Sequence, residues 1–146
     1  MAVSYRVLIV DDDPNVCTTL GAVLRTEGYE VTAISELAEA RQAVLDQPFD
    51  LVLAEQSLNE TGDGLELLVE ARRASGAAGV ILTSHGSAQS AELAREMGIL
   101  DYLQKPCSVS DLKQVVRDVL EHGQIPKHWR MVEDAGSEIQ SDVREP

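Results

Sequence analysis

Residues 7–14 have the sequence Val-Leu-Ile-Val-Asp-Asp-Asp-Pro, an apolar run that ends in three carboxylates. The apolar residues predict the first strand of the chain. Pro14, with Asp13 as its cap, predicts that a helix begins immediately afterwards. A strand that leads through a short turn into a helix is the repeating unit of α/β proteins. This stretch therefore places Asp11 and Asp12 at the carboxyl end of a strand, where open α/β sheets have their sites.

Short apolar runs alternate with amphipathic stretches from residue 6 to about residue 121, which gives five strand-helix units. This alternation predicts a parallel sheet with helices on both faces, a three-layer α/β/α domain. The third strand is apolar throughout, so it is expected to be central in the sheet. The predicted strands cover residues 6–10, 30–34, 51–54, 80–82 and 101–104, and the predicted helices begin near residues 14, 36, 65, 87 and 108.

The composition limits what this chain can bind and where it can act. Its 146 residues suffice for one domain, and 44% hydrophobic residues are enough for a buried core. The formal net charge of −13 predicts repulsion from nucleic acid and from anionic lipid. No apolar run approaches the roughly 18 residues that cross a bilayer, no signal-peptide region is seen, and the two cysteines suit a reducing compartment. We therefore expect a cytoplasmic protein with no direct nucleic-acid or membrane binding.

The pattern of strands and helices stops near Gly123. Residues 124–146 are polar, with prolines, a glycine and scattered charges. This composition is typical of a linker or tail. We expect one domain at residues 1–122 and a linker or C-terminal tail at residues 123–146, which could lead to an output domain.

Acidic side chains follow the first and third strands. If those strands are parallel neighbours, Asp11, Asp12 and Glu55 meet at one edge of the sheet. Two like unit charges about 4 Å apart repel each other by about 4 kcal/mol at an effective dielectric of about 20. The three carboxyls therefore cannot all be ionised together without compensation. Either Lys105 and a cation neutralise them or one carboxyl stays protonated. Oxygen ligands suit magnesium, Mg²⁺. The predicted metal ligands are Asp11, Asp12, Glu55 and Ser57.

Short motifs follow the first, fourth and fifth strands in a fixed order. The set comprises Asp11-Asp12 after the first strand, Thr83-Ser84 at the end of the fourth, Tyr102, and Lys105-Pro106 after the fifth. In this order and spacing, the chain resembles the receiver domain of two-component response regulators over about residues 5–121. The resemblance implies a flavodoxin-like (βα)5 doubly wound parallel sheet with the strand order 2-1-3-4-5.

In that family two acidic residues hold magnesium, an aspartate at the end of the third strand accepts a phosphoryl group from a histidine kinase, and a threonine and a lysine bind the phosphoryl oxygens. The resemblance places Glu55 at the acceptor position. A register shifted by one residue offers Gln56, and Asp63 lies well beyond the strand, so no register supplies an aspartate. The residues that the resemblance assigns to the switch and the phosphate pocket are Thr83, Ser84, Tyr102, Lys105 and Pro106.

These residues also have structural interpretations. Asp12 and Asp13 could simply face the positive N-terminus of the first helix, and Thr83 could be an ordinary β-branched strand residue. We favour the cap role for Asp13 and leave Thr83 open. Lys105 could be a solvated lysine, but a cis bond at Pro106 would aim it at the edge of the sheet, so we favour a functional role for it.

Glu55 has one methylene more than aspartate, so a glutamyl phosphate would overshoot the pocket. Errors of about 1 Å can cost roughly a hundredfold in the rate of such a transfer. Glutamate brings one negative charge where phosphate brings about 1.5 to 2, so its mimicry of phosphate would be partial. We predict a signalling module of a two-component or phosphorelay system, not an enzyme, that acts by protein-protein interaction with phosphorylation lost or impaired.

The resemblance also implies where partners bind. A sensor kinase or an output domain would contact the face made by helix four, strand five and helix five, and a homodimer is a further arrangement. Two rival functions stay open. A conventional response regulator would be phosphorylated on Glu55 or Ser57. A flavin-binding or phosphohydrolase α/β domain fits less well, because the acidic loop after the first strand repels phosphate and only Asp11 could nominally serve as a nucleophile.

Overall fold

The computed structural model describes residues 4–58, 64–84, 86–99 and 101–122. The strands in this part of the chain are β1 (Arg6–Val10), β2 (Glu30–Ile34), β3 (Leu51–Ala54), β4 (Ala78–Thr83) and β5 (Asp101–Gln104). They form one parallel sheet in the order β2-β1-β3-β4-β5. The predicted flavodoxin-like fold, its strand order and the central position of the third strand are confirmed. The predicted tail at residues 123–146 and the aspartate at position 63 lie outside the described residues.

Helices connect and follow the strands. They are α1 (Pro14–Thr26), α2 (Leu37–Asp46), α3 (Gly64–Ser75), α4 (Ala88–Glu96) and α5 (Val109–Arg117), and α5 continues as a π-helical turn (Asp118–His122). Side-chain caps begin α1, α4 and α5, because Asp13, Ser87 and Ser108 each accept a hydrogen bond from a backbone N–H of the first turn. The predicted cap of the first helix is therefore confirmed. No helix within the described ranges combines the length and apolarity needed to span a membrane.

Successive strand residues supply two separate cores. Leu8 and Val10 of β1 pack with residues of α2, α3 and α4, whereas Val7 and Ile9 pack with residues of α1 and α5. Side chains alternate across a strand, so a strand that is apolar throughout can fill both layers. The sheet is consequently covered on both faces, and its carboxyl edge is left for polar groups.

The fourth strand is longer than the sequence predicts, since it spans Ala78–Thr83 rather than residues 80–82. Gly79 lies inside it, where glycine usually argues against a strand. A Cβ at this position would lie 3.2 Å from Leu68 Cβ and 3.3 Å from Ile99 Cδ1. The glycine is explained by the close packing of α3 and of Ile99 against the strand, and it does not mark a turn.

The pairing of the strands determines which side chains meet. Val10 of β1 pairs with Ala54 of β3, so Asp11 and Glu55 leave the sheet side by side. The Glu55 backbone N–H donates to the Val10 carbonyl at 2.9 Å. Between β4 and β5 the Lys105 N–H donates to the Thr83 carbonyl at 2.8 Å, so the pairing of these two strands continues one residue past the end of β5. The Lys105-Pro106 bond is cis, as the sequence suggested.

The segment after β3 approaches the start of α3 very closely. The Gly64 N–H donates to the Gln56 carbonyl at 2.9 Å. A Cβ on Gly64 would overlap the Glu55 carbonyl oxygen, so only glycine fits this contact. The first residue of α3 therefore helps to fix the backbone that carries Glu55 and Gln56.

Candidate functional site

The carboxyl ends of β1, β3, β4 and β5 surround a cleft of about 300 Å³, named here the acidic cleft. Its lining residues are Asp11, Asp12, Asp13, Glu55, Ser57, Ser84 and Lys105. All four residues predicted as magnesium ligands line this cleft, together with two residues of the predicted phosphate pocket. The parallel pairing of β1 with β3 brings them together from positions more than 40 residues apart in the chain.

Lys105 joins the two buried carboxylates of the acidic cleft. Its Nζ donates hydrogen bonds to Asp11 Oδ2 at 2.7 Å and to Glu55 Oε1 at 3.0 Å. The side chains of Asp11 and Glu55 are only 4% and 5% exposed, whereas that of Lys105 is 21% exposed. One ammonium therefore compensates two carboxylates, and the trio retains a net charge of −1 when both acids are ionised.

Glu55 is held on both of its carboxylate oxygens. Oε1 accepts from Lys105, and Oε2 accepts the backbone N–H of Ser57 at 3.3 Å. Burial raises the pKa of Glu55, but hydrogen bonds from the Thr83 side chain and from Lys105 outweigh burial and bring the pKa below its ordinary value. Glu55 is consequently ionised at neutral pH.

Asp11 responds differently to the same lysine. Its Oδ1 accepts the backbone N–H of Asp13 at 2.9 Å, and its Oδ2 accepts from Lys105. Burial is the largest influence and raises the pKa of Asp11 above its ordinary value, although the hydrogen bonds from Lys105 and Asp13 oppose it. Burial lowers the pKa of Lys105, but its hydrogen bonds to Asp11 and Glu55 outweigh burial and leave that pKa raised. The ammonium is thus firmly protonated, and the cleft favours ionised Glu55 more than ionised Asp11.

The predicted metal ligands share the cleft without forming a ready-made ligand set. Among the residues that the structure describes, no three histidine, cysteine or acidic side chains are arranged to hold a metal ion. Asp11 and Glu55 each give one oxygen to Lys105, Asp12 is exposed, and Ser57 contributes its backbone N–H to Glu55. The oxygen chemistry suits Mg²⁺, but a cation here has to compete with an ammonium.

Thr83 and Tyr102 lie beside the cleft in buried positions. Thr83 ends β4, is fully buried and hydrogen-bonds to Glu55 through its side chain. The Tyr102 residue is 4% exposed, and its ring belongs to the core under α2, α3 and α4. The Tyr102 hydroxyl donates to Gln56 Oε1 at 2.7 Å. Both predicted switch residues are therefore turned toward the site.

Pro106 is the predicted pocket residue that the structure places elsewhere. It lines a separate groove of about 340 Å³ between α1 and the segment after β5, together with Cys107 and residues of α1 such as Val16 and Leu20. Lys105 lines both the groove and the acidic cleft. The proline thus follows Lys105 in the chain but does not itself line the acidic cleft.

Two residues that contact Tyr102 were missed in the sequence. Gln56 appeared there only as an alternative register for the acceptor, yet it accepts the Tyr102 hydrogen bond. Gly86 carried no signal, yet a Cβ there would lie 3.0 Å from Tyr102 Cε1. A polar amide directly after a buried strand is the one hint that could have drawn attention to Gln56.

Comparison with known proteins agrees with this geometry. Residues 7–117 match the family described as "Response regulator receiver domain". The transcriptional regulatory protein GlrR of Escherichia coli (strain K12) is 32% identical over 94% of this chain and 34% of its own length. The chain therefore spans about a third of that relative.

Solved structures share the fold. A CheY-like response regulator receiver domain protein from Methanospirillum hungatei JF-1 is 27% identical with a TM-score of 0.76, covering 82% of this chain and 96% of that one. The receiver domain of the sensor histidine kinase PA1611 from Pseudomonas aeruginosa PAO1 was solved with magnesium coordinated in its active-site cleft. It is 25% identical with a TM-score of 0.67, and the match covers 79% of this chain and 96% of that one. The sheet order, the acidic cleft with its lysine and the match over residues 7–117 together show that this chain belongs to the family of response regulator receiver domains.

Proposed function

We propose that this receiver domain is a signalling module that works by binding protein partners and has lost, or largely lost, phosphorylation. The observation that carries the proposal is the position of Glu55. It directly follows β3, and its carboxylate lies between Lys105 and Thr83, the side chains that would hold a phosphoryl group in a conventional receiver. The side chain thus occupies space that an incoming phosphoryl group would need.

The contacts of Glu55 make it a poor nucleophile. Attack on a phosphoryl donor requires a carboxylate oxygen in line with the bond that breaks. Here one oxygen accepts from Lys105 and the other from the Ser57 N–H, and both are almost completely buried. The extra methylene also moves the attacking oxygen by more than the roughly 1 Å that costs a hundredfold in rate.

The same contacts give the site a constant charge. Glu55 is ionised at neutral pH because its hydrogen bonds lower its pKa, so Lys105 always has an anionic partner. In a switching receiver, phosphate would supply about 1.5 to 2 negative charges at this place only transiently. We therefore propose that Glu55 is a permanent, partial substitute for the phosphoryl group.

Magnesium binding is proposed to be weak. When bound, the ion would neutralise carboxylate charge at the mouth of the cleft. The exposed Asp12 would hold it together with Asp11, whose two oxygens already accept hydrogen bonds from Lys105 and the Asp13 N–H. Lys105 already compensates the buried carboxylates, so the gain from a second cation is small.

The partners and the cellular setting are proposed from the family. The face formed by α4, β5 and α5 would bind a sensor kinase or an output domain, and a symmetric pair of these domains would use the same face. The net charge of −13 argues against direct contact with nucleic acid. Residues 1–122 would act as a binding domain in the cytoplasm rather than as an enzyme, and residues 123–146 would link it to further sequence.

Intact-mass spectrometry after incubation with acetyl phosphate and Mg²⁺ tests the proposal. The wild-type chain should gain no phosphoryl group. The matched variant Glu55→Asp should gain one, because it restores the shorter carboxylate beside an unchanged Lys105 and Thr83. A phosphoryl group on the wild-type chain would instead identify a conventional phosphorylated response regulator, and peptide mapping would show whether Glu55 or Ser57 carries it.

A further inference from the structure

The Tyr102 hydroxyl connects three elements of the fold. It donates to Gln56 Oε1 at 2.7 Å, directly after the end of β3. It also lies within hydrogen-bonding reach of the Ser87 backbone and the Ser90 side chain, at the start of α4. Tyr102 itself belongs to β5. The phenol therefore ties the end of β3 to the beginning of α4 through β5.

The Tyr102 ring packs closely against a small neighbour. Gly86 lies between the Tyr102 ring and Thr83, and a Cβ there would be 3.0 Å from Tyr102 Cε1 and 3.3 Å from Thr83 Cγ2. At such distances a Cβ would be crowded, and the ring or Thr83 would have to give by a few tenths of an ångström. Gly86 thus allows close packing against the inward ring.

A buried phenol needs a hydrogen-bond acceptor, because an unsatisfied hydroxyl away from water is costly. The amide oxygen of Gln56 is such an acceptor, and it is neutral and present whatever the chemical state of Glu55. Burial also raises the pKa of Tyr102, so the phenol stays a protonated donor at neutral pH. The inward position therefore does not require a phosphoryl group.

We propose that Gln56 is a positioning residue that holds Tyr102 inward and so keeps the α4-β5 surface in one arrangement without phosphorylation. The inference deepens the proposed function and rests on it, because a fixed surface is what a receiver without a phosphoryl switch would present to its partner. Glu55 engages Thr83, and its neighbour Gln56 engages Tyr102.

Nitration of the full chain by tetranitromethane, mapped by peptide mass spectrometry, tests this role. The measured quantity is the nitration rate of Tyr102 divided by that of buried Tyr29 in the same molecule, which cancels any general loosening of the fold. Gln56→Leu keeps a similar volume but removes the acceptor, so the ratio should rise about two- to tenfold, the equivalent of one hydrogen bond.

Gln56→Glu is the rescue variant, since it keeps an oxygen acceptor at the same reach, and its ratio should stay within about twofold of wild type. An unchanged ratio in Gln56→Leu would overturn the proposal, and so would an equal rise in Gln56→Glu. Phosphorylation of the wild-type chain would overturn the proposed function but would not alter this ratio in untreated protein. The two failures are therefore distinguishable.

Discussion

Among the described residues, one charged side chain is shared between two opposite charges in several places, and two of these places differ clearly in burial. In the acidic cleft the Lys105 ammonium serves two buried carboxylates, which are at most 5% exposed. Between α1 and α5 the carboxylate of Glu27 serves two bases, Lys113 at 3.5 Å and Arg117 at 3.2 Å. There the acid is 23% exposed and the bases are 35% and 41% exposed.

The difference in burial predicts different contributions of these two trios to the stability of the fold. Exposed ion pairs contribute about 0–1 kcal/mol, because water and salt screen them and the long side chains lose freedom. A buried trio carries a large desolvation cost, and removal of one partner leaves uncompensated charge in the interior. Buried titratable groups with perturbed pKa values cluster at functional sites, so the acidic cleft and not the α1–α5 contact is the candidate site.

Removal of the shared cation should have the largest effect. Lys105→Met should lower the free energy of unfolding at pH 7 by about 3–5 kcal/mol, because two buried carboxylates lose their only ammonium contact shown in the cleft. Urea denaturation in the presence of a chelator measures it. A loss below about 1 kcal/mol would mean that the carboxylates of the cleft behave like exposed ones.

The two carboxylates that share this lysine should respond in opposite directions. Glu55→Gln should lower the free energy of unfolding at pH 7 by about 1–3 kcal/mol, since the folded state lowers the pKa of Glu55. Asp11→Asn should leave it unchanged or raise it by up to about 1 kcal/mol, since burial raises the pKa of Asp11. Equal losses of unfolding free energy in both variants would show that the two carboxylates are equivalent.

The pH dependence follows from the same directions. The folded pKa of Glu55 lies below the ordinary value of 4.5, so its stabilisation is present above that value and is lost as the pH falls through the folded pKa. The difference between wild type and Glu55→Gln should therefore disappear in urea denaturation curves recorded at progressively lower acid pH. A difference that persists after Glu55 is protonated would assign the effect to packing instead of charge.

The exposed trio should give the smallest effect. Lys113→Met should lower the free energy of unfolding by less than about 1 kcal/mol, because the Glu27 carboxylate remains solvated and keeps Arg117. About 1 M salt should remove most of this difference, whereas it should change the Lys105→Met loss much less. Equal salt sensitivity in the two variants would remove the distinction between the trios.

Periodicity and strand ends in the sequence sufficed to predict the strands, the helices and their three layers, whereas the strand order followed from the family resemblance. Apolar runs and capping residues such as Asp13 and Ser108 are local signals, so the strands and helix starts follow from short stretches. The meeting of Asp11 and Glu55 was also predictable, because parallel pairing of the first and third strands places their ends together. The exact extent of the fourth strand was not, since Gly79 belongs to a strand only because of what packs against it.

The side-chain contacts inside the site could not be predicted, because the spacing of residues in the sequence does not determine where their side chains point. The sequence left open whether Lys105 and a cation neutralise the acids or one carboxyl stays protonated, and only the hydrogen bonds show one lysine on both. The Tyr102–Gln56 contact joins residues 46 positions apart, and Gln56 lies in a turn without periodic pattern. Pro106 was grouped with the pocket by its neighbour in the chain, yet its ring lines another groove.

The order of residues after β3 has a genetic consequence. Thr83 contacts residue 55, and Tyr102 contacts residue 56, so under the proposed function two adjacent codons would set both contacts. Exchange of the first codon for aspartate and of the second for an apolar residue would, on this basis, restore a kinase-dependent output in a single short edit. The reverse edit in a phosphorylated relative would, under the same proposal, replace the phosphoryl switch with a fixed charge that mimics it only in part.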